Sequence, residues 1–143
     1  MFTVNKKVEY ALIALKHMAQ IEDGILCSVK EICEQYKAPF DVTSRSMQQM
    51  ASHGILKSEK GVNGGYRVSQ DLNEISMLSL VEILLGSVHV AKCLPGDGSS
   101  CKLGETCNLI NPMMKLDSRL RQFLESVTVG ELLDNNLTAV TVG

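Results

Sequence analysis

The chain has 143 residues and a formal charge of −2. Its 45% hydrophobic and 21% charged residues suit one core-burying domain and exclude collagen-like, disordered and disulfide-scaffold chains. No apolar run nears the roughly 20 residues that cross a bilayer. The start, from Met1 to Lys7, leads into a helical pattern with no apolar signal core, so the cytoplasm is the expected place. Charge is uneven: residues 1–70 hold nine Lys/Arg against seven Asp/Glu, residues 71–143 five against nine. Any nucleic-acid surface therefore belongs to the first half.

Val8, Ala11, Leu12, Leu15, Met18 and Ala19 recur at helical spacing and predict a helix from Asn5 to Ile21, ended by Asp23-Gly24. Ser28-x-x-Glu31 is a capping box opening a short helix that buries Val29, Ile32, Cys33 and Tyr36. Ala38-Pro39 stops it. A third helix is expected from Asp41, as N-cap, to His53, with Gly54 just past its end. Val42, Met47 and Met50 form its apolar side, and Ser44, Arg45, Gln48, Gln49 and Ser52 the opposite face. Residues 56–70 read as a β-hairpin whose Asn63-Gly64-Gly65 supplies the positive φ angles of a tight turn. Ser79-x-x-Glu82 is expected to cap a short apolar helix ending at Gly86. Residues 87–111 show no periodicity, and so long a structureless loop usually has a function. Asn111-Pro112 reads as N-cap and first residue of a helix striped with Met113, Leu116, Leu120, Phe123, Leu124 and Val127. Thr128-x-x-Glu131 caps a last turn, and the tail beyond Asn135 is expected to fray.

This order, mainly α with a small β-hairpin, is that of a winged helix–turn–helix followed by a long helix. A major groove about 12 Å wide admits one α-helix. The third helix would enter N-terminus first, with Ser44 and Arg45 near base edges. Lys57, Lys60 and Arg67, expected near the hairpin tip, could reach phosphates or the minor groove. The same elements also occur in protein-interaction modules.

Five cysteines are present, an odd number that argues against a disulfide framework. Cys27 and Cys33 read as small buried hydrophobes. Cys93, Cys101 and Cys107 share the Gly-rich loop. Thiolates favour iron–sulfur clusters, zinc or copper(I), and the long gaps lean toward a cluster rather than a four-ligand zinc site. A redox dithiol or chance proximity stays open. No Cys-x-x-Cys opens a helix and no Ser/His/Asp set stands out, so an enzyme is not expected.

Five segments of the sequence resemble the Rrf family of winged-helix transcription regulators, which includes IscR, NsrR and RirA types. They are Val8-Glu9-Tyr10-Ala11-Leu12, Val29-Lys30-Glu31-Ile32, Gly54-Ile55-Leu56, the wing Lys60-Gly61-Val62-Asn63-Gly64-Gly65-Tyr66, and residues 74–86. The resemblance implies a homodimer on a roughly palindromic double-stranded DNA operator. Residues 1–86 would read DNA, 87–111 hold an iron–sulfur cluster ([4Fe-4S] or [2Fe-2S]), and 112–143 dimerise. It assigns Cys93, Cys101 and Cys107 as cluster ligands, and Asp41, Val42, Ser44 and Arg45 to base reading. Gln48, Asn63, Arg67 and Lys60, at the position of the wing arginine, complete the expected DNA surface. The His that IscR-like members carry three residues after the last cysteine is Ile110 here. Other members use a carboxylate on the first helix of the opposite subunit, which implies Glu9 as fourth ligand, with His89 as a second candidate. The alternative is a regulator of the same family without a cluster, controlled by zinc, thiol oxidation or a partner protein.

Overall fold

The computed structural model describes residues 3–91, 94, 106 and 108–134. Asn5 caps α1 (Lys6–Ala19) by accepting from the Lys7 amide at 2.9 Å. Its buried stripe is Val8, Ala11, Ala14, Leu15 and Met18, as the spacing predicts, though the helix ends four residues before Asp23. Ser28 Oγ caps α2 (Val29–Tyr36) through the Glu31 amide at 3.1 Å. Only Ile32 of α2 is fully buried. Val29 and Cys33 are half-buried and Tyr36 is exposed, because eight residues leave room for one inward row. Lys37, at φ 54°, ends the helix in the left-handed region.

The third helix, α3 (Phe40–Ser52), is capped by Pro39, not Asp41, which lies in its first turn. Its buried side is Thr43, Ser46, Met47 and Met50, while Val42 is only half-buried. Ser46 fits there because its hydroxyl donates to the Val42 carbonyl at 2.8 Å, so no donor is stranded. At the other end Gly54 takes φ 82°. The Gly54 amide donates to Ala51 O and the Ile55 amide to Met50 O, at 3.1 and 3.0 Å, which closes a Schellman motif.

The hairpin pairs β1 (Leu56–Glu59) with β2 (Gly65–Val68), Lys57 facing Arg67 and Glu59 facing Gly65. Gly64 and Gly65 are not at positive φ; in the turn only Gly61 is, at 127°. The pair is needed for space instead. A Cβ on Gly64 would lie 2.5 Å from the Glu59 carbonyl oxygen, and one on Gly65 2.7 Å from that of Cys27. Cys27 pairs with Tyr66 through two backbone hydrogen bonds of 2.8 Å, one each way, which fastens the hairpin to the segment before α2.

A 3-10 turn (Leu72–Glu74) precedes α4 (Met77–Leu85). Its N-cap is Ser76, which accepts from the Ser79 amide, so Ser79 lies inside the helix. The longest helix, α5 (Ile110–Ser126), begins one residue before Asn111, so Pro112 occupies a first-turn position that needs no amide. Thr128 caps α6 (Val129–Leu133) as expected. The chain returns to the core here: Met77 N donates to Val127 O and Val129 N to Ile75 O, both at 2.8 Å. The core joins Val8, Leu15, Ile32, Met47, Met50, Leu56, Leu80 and Val129.

Asp117 is the buried residue of α5. Its carboxylate accepts from His89 Nδ1 and the Val90 amide, both at 2.9 Å. Arg121, one turn on, donates to Val88 O at 2.9 Å and to Glu82 Oε1 at 2.6 Å. These bonds clamp residues 88–90, the start of the long loop, to α5 and α4. Burial pushes the Asp117 carboxyl up, but the His89 and Val90 hydrogen bonds and the His89 and Arg121 charges outweigh it. The net result lies below the ordinary value.

Gly65→Ala is expected to cost about 1–3 kcal/mol, because backbone must move to admit the methyl; urea unfolding of both proteins measures it. An unchanged midpoint would show the close approach to be slack. A carboxyl depressed on folding stabilises above its unfolded value, near pH ~4, and that stability is lost as pH falls through the folded value. Amide exchange at Val90 should therefore accelerate on acidification below that point in the native protein and less so in Asp117→Asn. Equal pH dependence in both would remove Asp117 from the clamp.

Candidate nucleic-acid interface

The exposed side of α3 follows from what its inward side buries. With Thr43, Ser46, Met47 and Met50 in the core, Asp41, Arg45, Gln48 and Ser52 fall at i, i+4, i+7 and i+11 on one outward stripe. All four are exposed, and Ser44 lies half-buried beside them. Gln48 Nε2 stands 3.5 Å from Ser44 Oγ, too long to lock either side chain. Gln49 instead turns inward toward Ile83 O, and Val42 sits at the edge of the stripe. Asp41 and Arg45 cancel in charge, so the stripe offers hydrogen-bonding groups with no net charge.

Cations come from the hairpin. Lys57 and Arg67 sit opposite one another in mid-strand rather than at the tip. Arg67 is offset by Glu59, its Nε 3.6 Å from Glu59 Oε1. Lys60 follows β1, and Lys60, Val62 and Asn63 are all exposed at the turn. The Cys27–Tyr66 pairing and the packing of α3 on β1 hold α3 and hairpin as one unit.

Glu9 lies in the first turn of α1, half-exposed, with its carboxylate 2.7 Å from Lys6 Nζ. A surface pair of this kind contributes little and is readily exchanged. Cys93, Cys101 and Cys107 lie outside the described residues. Both ring nitrogens of His89 are engaged, Nδ1 by Asp117 and Nε2 by Ser87 Oγ at 3.0 Å. Its place is the clamp.

The sequence reading missed two groupings. Asp117 and Arg121 anchor the loop, and Asp117 could have been found as a carboxylate inside an apolar stripe, four residues after Met113 and three before Leu120. The other brings His17 together with Cys27 and Glu31, ten and fourteen residues further on, at the junction of α1 and α2, with no recognised motif. Burial, and secondarily Glu31, pushes the Cys27 thiol up to about 12, the opposite of a reactive thiolate.

Among the described residues no helix is long and apolar enough to cross a membrane. A family model described as "Rrf2: Iron-dependent Transcriptional regulator" matches residues 4–135. The chain is 27% identical over 140 residues to the HTH-type transcriptional regulator IscR of Photobacterium profundum, covering 96% of this chain and 80% of that one. It is 24% identical over 127 residues to the HTH-type transcriptional regulator NsrR of Shouchella clausii, covering 89% and 85%. The solved structure of CymR, the global cysteine regulator of B. subtilis, superposes with a TM-score of 0.70 at 18% identity, over 93% of this chain and 97% of that one. That likeness supports the winged-helix fold, and the family model supports the rest: this chain belongs to the Rrf2 family of DNA-binding transcription regulators.

Proposed function

We propose that the chain works as a homodimer whose two α3 helices read a roughly palindromic operator under the control of an iron–sulfur cluster. The observation that carries the DNA reading is the aligned outward row of Asp41, Arg45 and Gln48 beside a cationic hairpin. Ser44, Arg45 and Gln48 hydrogen-bond base edges, with Arg45 able to pair bidentately with guanine. Val42 offers an apolar contact and Asp41 an acceptor. Lys60, Asn63 and Arg67 bind backbone or minor groove and set the register. Residues 1–86 form the DNA-reading part, 87–111 the cysteine loop and 112–143 the dimerising part.

The dimer reading rests on α5. Leu116 and Phe123, two turns apart on the same side of it, are exposed, Phe123 by 62%. Apolar side chains clustered on one exposed helix mark a surface that another chain covers. A second copy brings two α3 helices to a spacing fixed by α5, which is what a symmetric operator requires.

The donor set suits an iron–sulfur cluster: three thiols on a Gly-rich loop, and a half-exposed carboxylate, Glu9, paired among the described residues with an exposed lysine. Cys93, Cys101 and Cys107 would hold the cluster and the partner subunit's Glu9 would complete it. Bound there, the cluster supplies a centre that oxygen, nitric oxide or iron limitation can disrupt. The protein's own part is to fix both ends of the loop: the Asp117 and Arg121 clamp holds its start, and α5 begins at its end.

Anaerobic purification with iron, sulfide and zinc analysis tests the cofactor, and a brown protein with bound iron and sulfide is the expected result. A protein still colourless after anaerobic reconstitution would point to the zinc, thiol or partner-controlled alternative. Cys101→Ala should lose the cluster and keep its far-ultraviolet circular dichroism; a full cluster in that variant would show the ligand set to be wrong. Glu9→Ala with unaltered cluster spectra would remove Glu9 from it. Arg45→Ala should weaken operator binding by about 1–3 kcal/mol in titrations at fixed salt, and relax specificity at one base pair per half-site. Unchanged affinity would take Arg45 off the base-reading surface.

A further inference from the structure

The grouping at the α1–α2 junction has no part in DNA reading or in the cysteine loop. Its donors differ in chemistry and come from separate segments: His17 from α1, Cys27 from the segment before α2, and Glu31 from the first turn of α2. No two of the three ligand atoms are more than 4.8 Å apart. His17 Nε2 and Glu31 Oε1 are 3.5 Å apart, too far for a good hydrogen bond. That spacing matches neighbouring ligands on a tetrahedral zinc ion, about 3.3–3.7 Å for bonds of about 2.0–2.3 Å.

The other face of the imidazole is already arranged. His17 Nδ1 is 2.8 Å from the Tyr36 hydroxyl, and the two rings meet edge to face with centroids 5.4 Å apart. With Nδ1–H donating to Tyr36 Oη, the Nε2 lone pair points toward Glu31. Such an outer hydrogen bond fixes the tautomer and the orientation of a metal-binding histidine. The Cys27 side chain is buried, and Glu31 opens the site to solvent, its side chain 50% exposed.

We propose that His17, Cys27 and Glu31 bind one zinc-class divalent cation, with Tyr36 positioning the imidazole and water in the fourth place. Imidazole nitrogen, thiolate sulfur and carboxylate oxygen form a zinc-type donor set, too soft for magnesium or calcium. Binding replaces the Cys27 S–H bond with a sulfur–metal bond and releases that proton to solvent. Three protein ligands rather than four make the ion exchangeable. Burial and the Glu31 charge disfavour a bare thiolate at Cys27, and a divalent cation is the partner that would offset both. Because the Cys27 backbone carries the hairpin through Tyr66, the ion would join α1, α2 and the hairpin base.

The test uses cobalt(II) as a spectroscopic stand-in, in a full-length chain carrying Cys93→Ser, Cys101→Ser and Cys107→Ser. The loop thiols then cannot contribute, and failure of the cluster proposal leaves this test intact. One equivalent should produce a thiolate-to-cobalt charge-transfer band, release one proton per ion and be displaced by zinc. Cys27→Ser should abolish the band, and Cys33→Ser should keep it. His17→Gln and Glu31→Gln should each weaken cobalt binding at least tenfold. Absence of the band, its persistence in Cys27→Ser, or unchanged affinity in both the His17 and Glu31 variants would overturn the proposal.

Discussion

The structure depends on a two-way backbone pairing between Cys27 and Tyr66, 2.8 Å in each direction. Two short strands alone make a marginal hairpin. Here the hairpin gains a third partner, and α3 hands directly into it through the Gly54–Ile55 Schellman turn. Contact this close leaves no room for a Cβ at residue 65. Of the Gly64-Gly65 pair, Gly65 therefore marks where the hairpin meets the Cys27 backbone, while Gly64 is crowded by the turn itself. With the hairpin fixed, the angle between the reading helix and the wing is set by the core rather than by loops.

That rigidity matters to the proposed reading because α3 carries no net charge. Phosphate attraction dominates affinity for DNA, while base contacts specify the site. On the reading proposed above, the two tasks are separated in space in this chain. Arg45 and Gln48 project from α3, whereas Lys57, Lys60 and Arg67 lie on or beside the hairpin. Lys57 and Arg67, placed opposite one another, repel in the free protein, and Glu59 takes up part of that charge. Phosphate would relieve the same repulsion. A protein of net charge −2 can thus present a local cationic edge without being basic overall.

Much of this was legible in the sequence, and the misses have physical causes. Helix periods, the Ser28 and Thr128 caps and the Gly54 stop were readable because each is settled within one turn of chain. The start of α3 was misplaced because Asp41 satisfies the N-cap preference, yet Pro39 already fixes the extended geometry that precedes a helix. Ser76 rather than Ser79 caps α4 for a similar reason: both serines fit, and only the pairing of Ser76 with Thr128 from the chain's far end decides. Thr43 and Ser46 were missed as core residues because hydropathy reads a hydroxyl as outward, although Ser46 satisfies its own by donating to the Val42 carbonyl one turn back. The exposed stripe of α3 was readable as a complement of the buried one. The His17–Cys27–Glu31 grouping was not, since it exists only after α1 and α2 have packed.

The last turn of α4 shows how the loop flank, α1 and the reading helix are physically joined. A helix ends with carbonyls that lack intrahelical donors. In α4 the Leu84 carbonyl accepts from Lys7 Nζ at 2.9 Å, and Ile83 O faces Gln49 Nε2 at 3.5 Å. Lys7 lies two residues before Glu9 on α1, and Gln49 lies on α3 beside Gln48. Just before them, Glu82 holds Arg121, which also grips the loop flank at Val88. So three consecutive α4 residues, Glu82, Ile83 and Leu84, meet α5, α3 and α1 in turn. A displacement of the loop flank that pulls on Arg121 acts on the same helical turn that positions Lys7 and Gln49. Side-chain hydrogen bonds at a helix terminus break and re-form with small movements, whereas the Met47 and Met50 packing beneath them does not. The reading helix is therefore held rigidly to the core on its inner side. On its other side it faces the last turn of α4, the turn that also holds Arg121 and through it the loop flank at Val88.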